Sequence, residues 1–151
     1  MSKGSGVLAV GRHSVSILRR YAHHGMQGVV CSSGTDALKL LKSAKSSIVL
    51  CDSHLPDMSA LELLDSVIRA HPDTAFVTCA PPKKLRDALL AMIAGASGFI
   101  TTQQDFHAIA RQFESAVRRS SMIRRFEKSQ ARERMSANSR RRRIRTRRQP
   151  A

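Results

Sequence analysis

The sequence predicts an α/β fold in which a parallel β-sheet carries helices on both faces. Five short apolar runs alternate with longer segments whose apolar residues recur every three or four positions, as in strands alternating with amphipathic helices. The third run, residues 48–51, contains no polar residue, which is typical of a strand buried on both faces. Asp52 follows this run directly, so we expect its carboxylate at the carboxyl edge of the sheet, where open α/β sheets collect ligand and catalytic sites.

The apolar runs locate the predicted strands, which cover residues 7–10, 29–31, 48–51, 75–79 and 98–100. The predicted helices begin near Ser14, Thr35, Ser59, Leu85 and Asp105. Gly25 is expected to end the first helix and Gly95 the fourth, because glycine closes helices readily. The third helix should stop near His71, since the residue before a proline is disfavoured in the α region. Right-handed βαβ connections then give a parallel sheet.

Composition is consistent with one domain and an extension. The chain has 151 residues, of which 42% are hydrophobic and only 4% aromatic, so the core should be aliphatic. No apolar run approaches the roughly 18 residues of a membrane span, and the amino terminus lacks a secretory pattern, so we expect a cytoplasmic protein. Cys31, Cys51 and Cys79 lie in or beside apolar runs without zinc-ligand spacing, which predicts buried free thiols.

The formal net charge of +15 is concentrated near the end of the chain. Residues 118–151 carry thirteen arginines and one lysine against Glu127 and Glu133, a net charge of +12. The first 117 residues therefore hold only +3, and the two parts need separate explanations.

Four regions are predicted from these patterns. Residues 1–5 should form a flexible N-terminus, 6–117 the globular domain, 118–135 a helical extension and 136–151 a disordered Arg-rich tail. The extension continues the apolar spacing of the last helix through Ile123 and Phe126. Polar residues at 136–139 are expected to end it, and the remaining tail has too little apolar surface to fold alone.

The segments IVLCDSHLPDMSALELL and AMIAGASGFIT, together with the order of elements, resemble the receiver domain of bacterial response regulators in two-component signalling. The resemblance covers about residues 6–117. It rests on the D-x-x-x-P spacing of Asp52 and Pro56 and on the G-A-x-x-[FY] pattern ending at Phe99. It implies a flavodoxin-like (CheY-like) five-stranded sheet in the order 2-1-3-4-5. It also implies that Asp52 is equivalent to the phosphoacceptor and Phe99 to the switch aromatic.

The chain departs from the family's phosphorylation chemistry at four positions. Gly11 and Arg12 stand where the family has an acidic pair, Ala80 where it has Thr or Ser, and Thr102 where it has Lys. Phosphoryl transfer requires positioning and charge neutralisation, usually by Mg²⁺. We therefore predict a degenerate pseudo-receiver that binds no Mg²⁺ or other cofactor, is not an enzyme and has no small-molecule substrate. The alternative is a working phosphoacceptor that uses Asp52 in a phosphorelay.

Two further hypotheses concern side chains near Asp52. Arg12 is predicted to form a bidentate ion pair with Asp52 in place of the missing cation. In the alternative, Arg12 points into solvent and Asp52 is an N-cap-like or loop acceptor. His54 is interpreted as an exposed loop residue and not a metal ligand, because no second ligand lies at useful spacing.

Partners are expected at two surfaces. Receivers commonly pair through the fourth helix, fifth strand and fifth helix, so this face should bind a protein partner or a second copy. A polyanion is expected at the tail arginines, because guanidinium groups bind phosphates bidentately. These are Arg140, Arg141, Arg142, Arg143, Arg145, Arg147 and Arg148.

No aromatic residue lies in 127–151, so any nucleic-acid contact should be to the backbone and sensitive to salt. The alternative partner for the tail is an anionic membrane surface or an acidic protein. Some 30 residues after the body are too few for a helix-turn-helix output domain. A second alternative function is a nonspecific nucleic-acid-binding protein that the body dimerises.

Overall fold

A computed structural model describes residues 6–148 of the chain, and the predicted flexible residues 1–5 lie outside this range. The chain divides into two compact units, Met1–Ser120 and Ser121–Ala151. Among the described helices, none combines the length and the apolar character that crossing a membrane requires.

The first unit contains a five-stranded parallel sheet in the order β2-β1-β3-β4-β5. Its strands are β1 Val7–Val10, β2 Gly28–Cys31, β3 Ile48–Asp52, β4 Ala75–Ala80 and β5 Gly98–Thr101. All four strand pairings are parallel. The predicted α/β class, strand positions and order 2-1-3-4-5 are therefore confirmed.

Helices follow every strand. They are α1 Arg12–Arg20, α2 Gly34–Ser43, α3 Ala60–Ala70, α4 Leu85–Ile93 and α5 Phe106–Arg147, with short 3₁₀ turns at Ala22–His24 and Pro82–Lys84. The Ser59 side chain caps α3 by accepting a 3.2 Å bond from the Glu62 N–H, as its sequence position predicts. Ser33 caps α2 in the same way through the Asp36 N–H.

Two apolar layers hold the helices to the sheet. One layer joins β-strand residues such as Leu50 and Val77 to Ile17 of α1 and Phe113 of α5. The other joins Val49 and its neighbours to α2, α3 and α4. All five residues of β3 are buried, as their continuous apolar run predicts. Because β3 is the central strand, its last residue lies at the middle of the sheet's carboxyl edge.

The structure differs from the sequence prediction at the end of α5. The helix continues to Arg147, so the predicted break at 136–139 and the disorder predicted from residue 136 are wrong for the described residues. Within the basic segment, Thr146 Oγ1 donates to the carbonyls of Arg142 and Arg143 at 3.2 and 3.0 Å. No glycine or proline occurs in residues 105–148, and Ser or Asn costs a helix only a fraction of 1 kcal/mol. Residues 149–151 of the predicted tail lie outside the described range.

Candidate functional site

Asp52 ends β3 at the floor of a cleft with a volume of about 520 Å³, which we call the Asp52 cleft. The side chain is only 5% exposed. The cleft is lined by Gly11, Arg12, His13, Ser32, Asp52, Ser53, His54, Pro56, Cys79, Pro81 and Lys84. Its position at the carboxyl ends of parallel strands is the one predicted from the sequence.

Both carboxylate oxygens of Asp52 accept hydrogen bonds from the first turn of α1. The His13 N–H donates to Oδ2 at 2.9 Å, and the Ser14 N–H donates to Oδ1 at 2.8 Å. Ser14 Oγ donates a third bond, to Oδ1, at 2.6 Å. First-turn N–H groups have no acceptor within their own helix. Asp52 therefore caps α1 from a distant strand, since the local N-cap residue, Gly11, has no side chain to do so.

Gly11 makes this close approach possible. Its backbone has a φ of +99°, a conformation that side-chain-bearing residues rarely adopt. A Cβ added at Gly11 would lie 2.6 Å from both Cγ and Oδ2 of Asp52, well inside van der Waals contact. The absence of a side chain at position 11 is thus a condition for the bonds between Asp52 and α1.

The predicted ion pair between Arg12 and Asp52 is wrong. Arg12 is exposed, and the bonds to Asp52 come from other groups. Two backbone N–H groups and the Ser14 hydroxyl donate hydrogen bonds to the Asp52 carboxylate instead. The alternative, in which Arg12 is exposed to solvent and Asp52 accepts hydrogen bonds as an N-cap residue does, agrees with this geometry.

The structure brings together only some of the predicted pocket residues. Gly11 and Arg12 line the Asp52 cleft, whereas Ala80 and Thr102 do not. Ala80 is buried at the end of β4, and Phe99, the predicted switch aromatic, is half-buried on β5 in register with Thr78.

Sequence reasoning missed two contributors to the cleft. The sequence predicts that α1 begins near Ser14, but Ser14 is the third residue of the helix and binds Asp52 through both its N–H and its hydroxyl. Lys84, at the end of the second 3₁₀ turn, lines the cleft. The sequence shows two prolines, Pro81 and Pro82, which stiffen the chain before Lys84. They do not determine the direction of the chain after β4, and so they do not predict that Lys84 lines the cleft.

His54 contacts α4 from the loop after β3. Its Nε2 lies 3.4 Å from Asp87 Oδ2, an ion pair when the imidazole is protonated, and the His54 side chain is 66% exposed. Between residues 6 and 148, no three His, Cys, Asp or Glu side chains come together as a metal ion would require.

All three cysteines are free thiols, as predicted, although Cys31 is only partly buried. Burial raises the pKa of the Cys51 thiol, and the negative charge of Asp52 raises it further. Burial and then Asp52 likewise raise the pKa of Cys79 to about 12. Burial is also the main reason that the pKa of Cys31 is raised to about 11. These thiols are therefore protonated at neutral pH and poor nucleophiles.

A second acid, Asp57, lies in the loop after β3 and caps α2. It accepts hydrogen bonds from the Gly34 and Thr35 N–H groups, each at 2.9 Å, and from Thr35 Oγ1 at 2.6 Å. The end of β3 and the loop after it thus contact three helices, through Asp52 to α1, Asp57 to α2 and His54 to α4.

The hydrogen bonds of Asp57 lead us to expect that the free energy of unfolding decreases in acid. The Thr35 hydroxyl and the two N–H donors lower the pKa of this carboxyl to about 2 in the folded protein, against about 3.9 in an unfolded chain. Its stabilisation is thus fully present above about pH 4 and is lost as the pH falls towards 2. Urea unfolding of the natural protein and of Asp57→Asn should give a stability difference that shrinks from pH 5 to pH 2. A difference that stays constant over this range would contradict the assignment.

Comparison with known proteins places the fold in a family. The sequence model of the response regulator receiver domain matches residues 12–114. The regulatory protein LuxO of Vibrio vulnificus is 26% identical over 94 residues, covering 62% of this chain and 21% of LuxO. The transcriptional regulatory protein GlrR of Escherichia coli is 23% identical over 101 residues, covering 67% of this chain and 23% of GlrR. The chain therefore spans about a fifth of the length of these curated relatives.

Solved structures share the fold. A response regulator receiver domain protein from Clostridium thermocellum superposes with a TM-score of 0.66 at 19% identity, covering 79% of this chain and 98% of that one. The receiver domain of NtrX from Brucella abortus gives a TM-score of 0.66 at 21% identity, covering 74% of this chain and 98% of that one. The family match covers most of the chain, including Asp52 at the end of the central strand. This chain belongs to the response regulator receiver domain family of signal-transduction modules.

Proposed function

We propose that this chain is a pseudo-receiver, a signalling module that binds protein partners in one conformation without phosphorylation of Asp52. The observation that carries this proposal is the capture of both Asp52 oxygens by the first turn of α1. A carboxylate that attacks a phosphoryl donor must offer an oxygen lone pair to it. Here Oδ1 accepts two hydrogen bonds and Oδ2 accepts one, so the carboxylate is held against α1 and is a weaker nucleophile than a free carboxylate.

The residues of the Asp52 cleft do not suit Mg²⁺. This ion prefers octahedral coordination by carboxylate oxygens and water. Asp52 is the only acid among the lining residues, and its oxygens already accept three hydrogen bonds. Arg12 and Lys84 line the same cleft and would repel a divalent cation. We therefore expect no Mg²⁺ beside Asp52.

The partner surface proposed here is the α4-β5-α5 face, taken in the first unit as α4, β5 and the residues of α5 up to 120. On α4, Leu85, Leu89 and Ile93 recur every four residues and so share one side of the helix. Their exposed fractions are 43, 50 and 83%. An exposed apolar group of this kind is typical of a protein-binding surface. Because the end of β3 and the loop after it contact α1, α2 and α4, we expect this face to stay in one arrangement.

The Arg-rich segment is proposed to bind a polyanion. Seven of the nine residues 140–148 are arginine, and every described side chain in 131–148 is exposed. Such a density of exposed guanidinium groups favours phosphate contacts with release of counterions. The partner protein would bind to the first unit, and the polyanion would bind to the second.

Amide NMR of the full chain tests the loss of phosphorylation chemistry. Titration with Mg²⁺ and beryllofluoride should leave the resonances of Ser14, Asp52 and Phe99 unchanged, because the carboxylate is already engaged and no second acid lines the cleft. A conventional receiver serves as the positive control. The phosphorelay alternative predicts saturable shifts at these residues. It also predicts a mass increase of one phosphoryl group with acetyl phosphate that Asp52→Asn abolishes.

A further inference from the structure

We propose that the basic segment of α5 binds double-stranded DNA as a helix lying in the major groove. This inference rests on the proposed polyanion binding and adds the class of partner and the form in which the segment binds it. The second unit is helical through Arg147, and the Thr146 hydroxyl donates to the backbone carbonyls of Arg142 and Arg143 within the basic segment itself. The arginines are therefore presented on a helix and not on an extended tail.

The arginines surround the helix axis. A helix turns once in about 3.6 residues, so four consecutive arginines, 140–143, already face all sides. Arg145, Arg147 and Arg148 repeat this distribution over the next turn. A helix with arginines on all sides binds best where phosphates lie on two of its sides at once. A groove between the two strands of a nucleic-acid duplex provides this arrangement, and a flat anionic surface does not.

Dimensions favour the major groove of B-form DNA. An α-helix with its side chains is about 10–12 Å across, and this groove is about 12 Å wide. The major groove of A-form RNA is deep and narrow. A membrane surface would require an apolar side on the helix, whereas Ile144 is the one large apolar residue in 136–148.

Repulsion between the arginines should link helix content to DNA binding. Arg141 with Arg145, and Arg143 with Arg147, are like charges four residues apart, which destabilise a helix. Phosphates that neutralise these charges remove the repulsion. The helical circular-dichroism signal of the full chain should therefore increase when DNA is added.

Fluorescence anisotropy with the full chain and a 20-base-pair DNA of arbitrary sequence tests the inference. We expect a Kd of about 1–100 μM near physiological salt, with a slope of log affinity against log salt of about −6 for some seven phosphate contacts. Changing Arg140, Arg141, Arg142 and Arg143 together to Gln should make the slope shallower by about 3–4.

The decisive variant is Ile144→Pro, which keeps every charge but interrupts the helix within the basic segment. We expect it to bind the duplex roughly tenfold more weakly and to lose the increase in helical signal, whereas Ile144→Ala should bind as the natural chain does. Equal binding by Ile144→Pro, or equal affinity for single-stranded DNA, duplex RNA and polyglutamate, would overturn the groove assignment and leave polyanion binding intact. Failure to bind any of these polyanions would instead reject the proposed role of the segment.

Discussion

Asp52→Ala is expected to lower the free energy of unfolding of the first unit by about 2–4 kcal/mol. The substitution leaves the buried Ser14 N–H and hydroxyl, and the partly buried His13 N–H, without their acceptor. Hydrogen bonds to a buried charged group contribute about 1.5–3 kcal/mol, and loss of an N-cap costs about 1 kcal/mol more. The midpoint of thermal unfolding should fall by about 10 °C.

Matched variants assign the loss to the α1 contact. Ser14→Ala removes the hydroxyl bond to Asp52 but keeps both N–H bonds, and it should cost about 1 kcal/mol. Asp65→Ala removes an exposed acid that pairs with Arg69 on α3 and should stay within about 0.5 kcal/mol of the natural protein. Acids kept for reactivity often reduce stability, so that their replacement stabilises the fold. An unchanged or higher midpoint for Asp52→Ala would thus point to a working phosphoacceptor.

The sheet and the position of Asp52 were predictable because both depend on patterns local in sequence. Apolar runs mark the strands, and strand 48–51 lacks polar residues because it is covered on both faces. The acid after it must then lie at the sheet's carboxyl edge. The strand order came with the family motifs at Asp52, Pro56 and Phe99.

The partner of Asp52 was not predictable, because it depends on which donors reach the carboxylate in three dimensions. A side-chain cation, Arg12, was the obvious candidate from charge alone, but backbone N–H groups carry no sequence signal. Gly11 was the available clue, since a helix that starts without a capping side chain needs an acceptor from elsewhere. The prediction for the end of α5 is wrong for a different reason. A block of like charges indicates disorder, but arginine is also a good helix former, so the same residues are compatible with both states.

Gly11→Ala should be among the most destabilising single substitutions in the first unit, costing about 3–5 kcal/mol. The added methyl carbon would lie 2.6 Å from Cγ and Oδ2 of Asp52, and the backbone φ of +99° is itself strained for alanine. Gly25→Ala isolates the backbone effect, because Gly25 has a φ of +85° but no atom within 4 Å of the added carbon. We expect it to cost only about 1–2 kcal/mol. Gly6→Ala meets neither obstacle and should change stability by less than about 0.5 kcal/mol.

A double-mutant cycle between positions 11 and 52 tests whether the two residues act as a unit. Asp52→Ala removes the two nearest atoms from the path of the Gly11→Ala methyl group and leaves Asp52 Cβ, at 2.8 Å. The double variant should therefore lose at least about 1 kcal/mol less than the sum of the single losses, measured by urea unfolding. Additive losses would show that Gly11 is constrained by its backbone alone. If the coupling is present, Gly11→Asp cannot restore an acidic pair by itself, because its side chain needs the space that the Asp52 carboxylate occupies while capping α1. The glycine at position 11 and the carboxylate at position 52 then form one structural feature, in which the missing side chain leaves the space that the capping carboxylate fills.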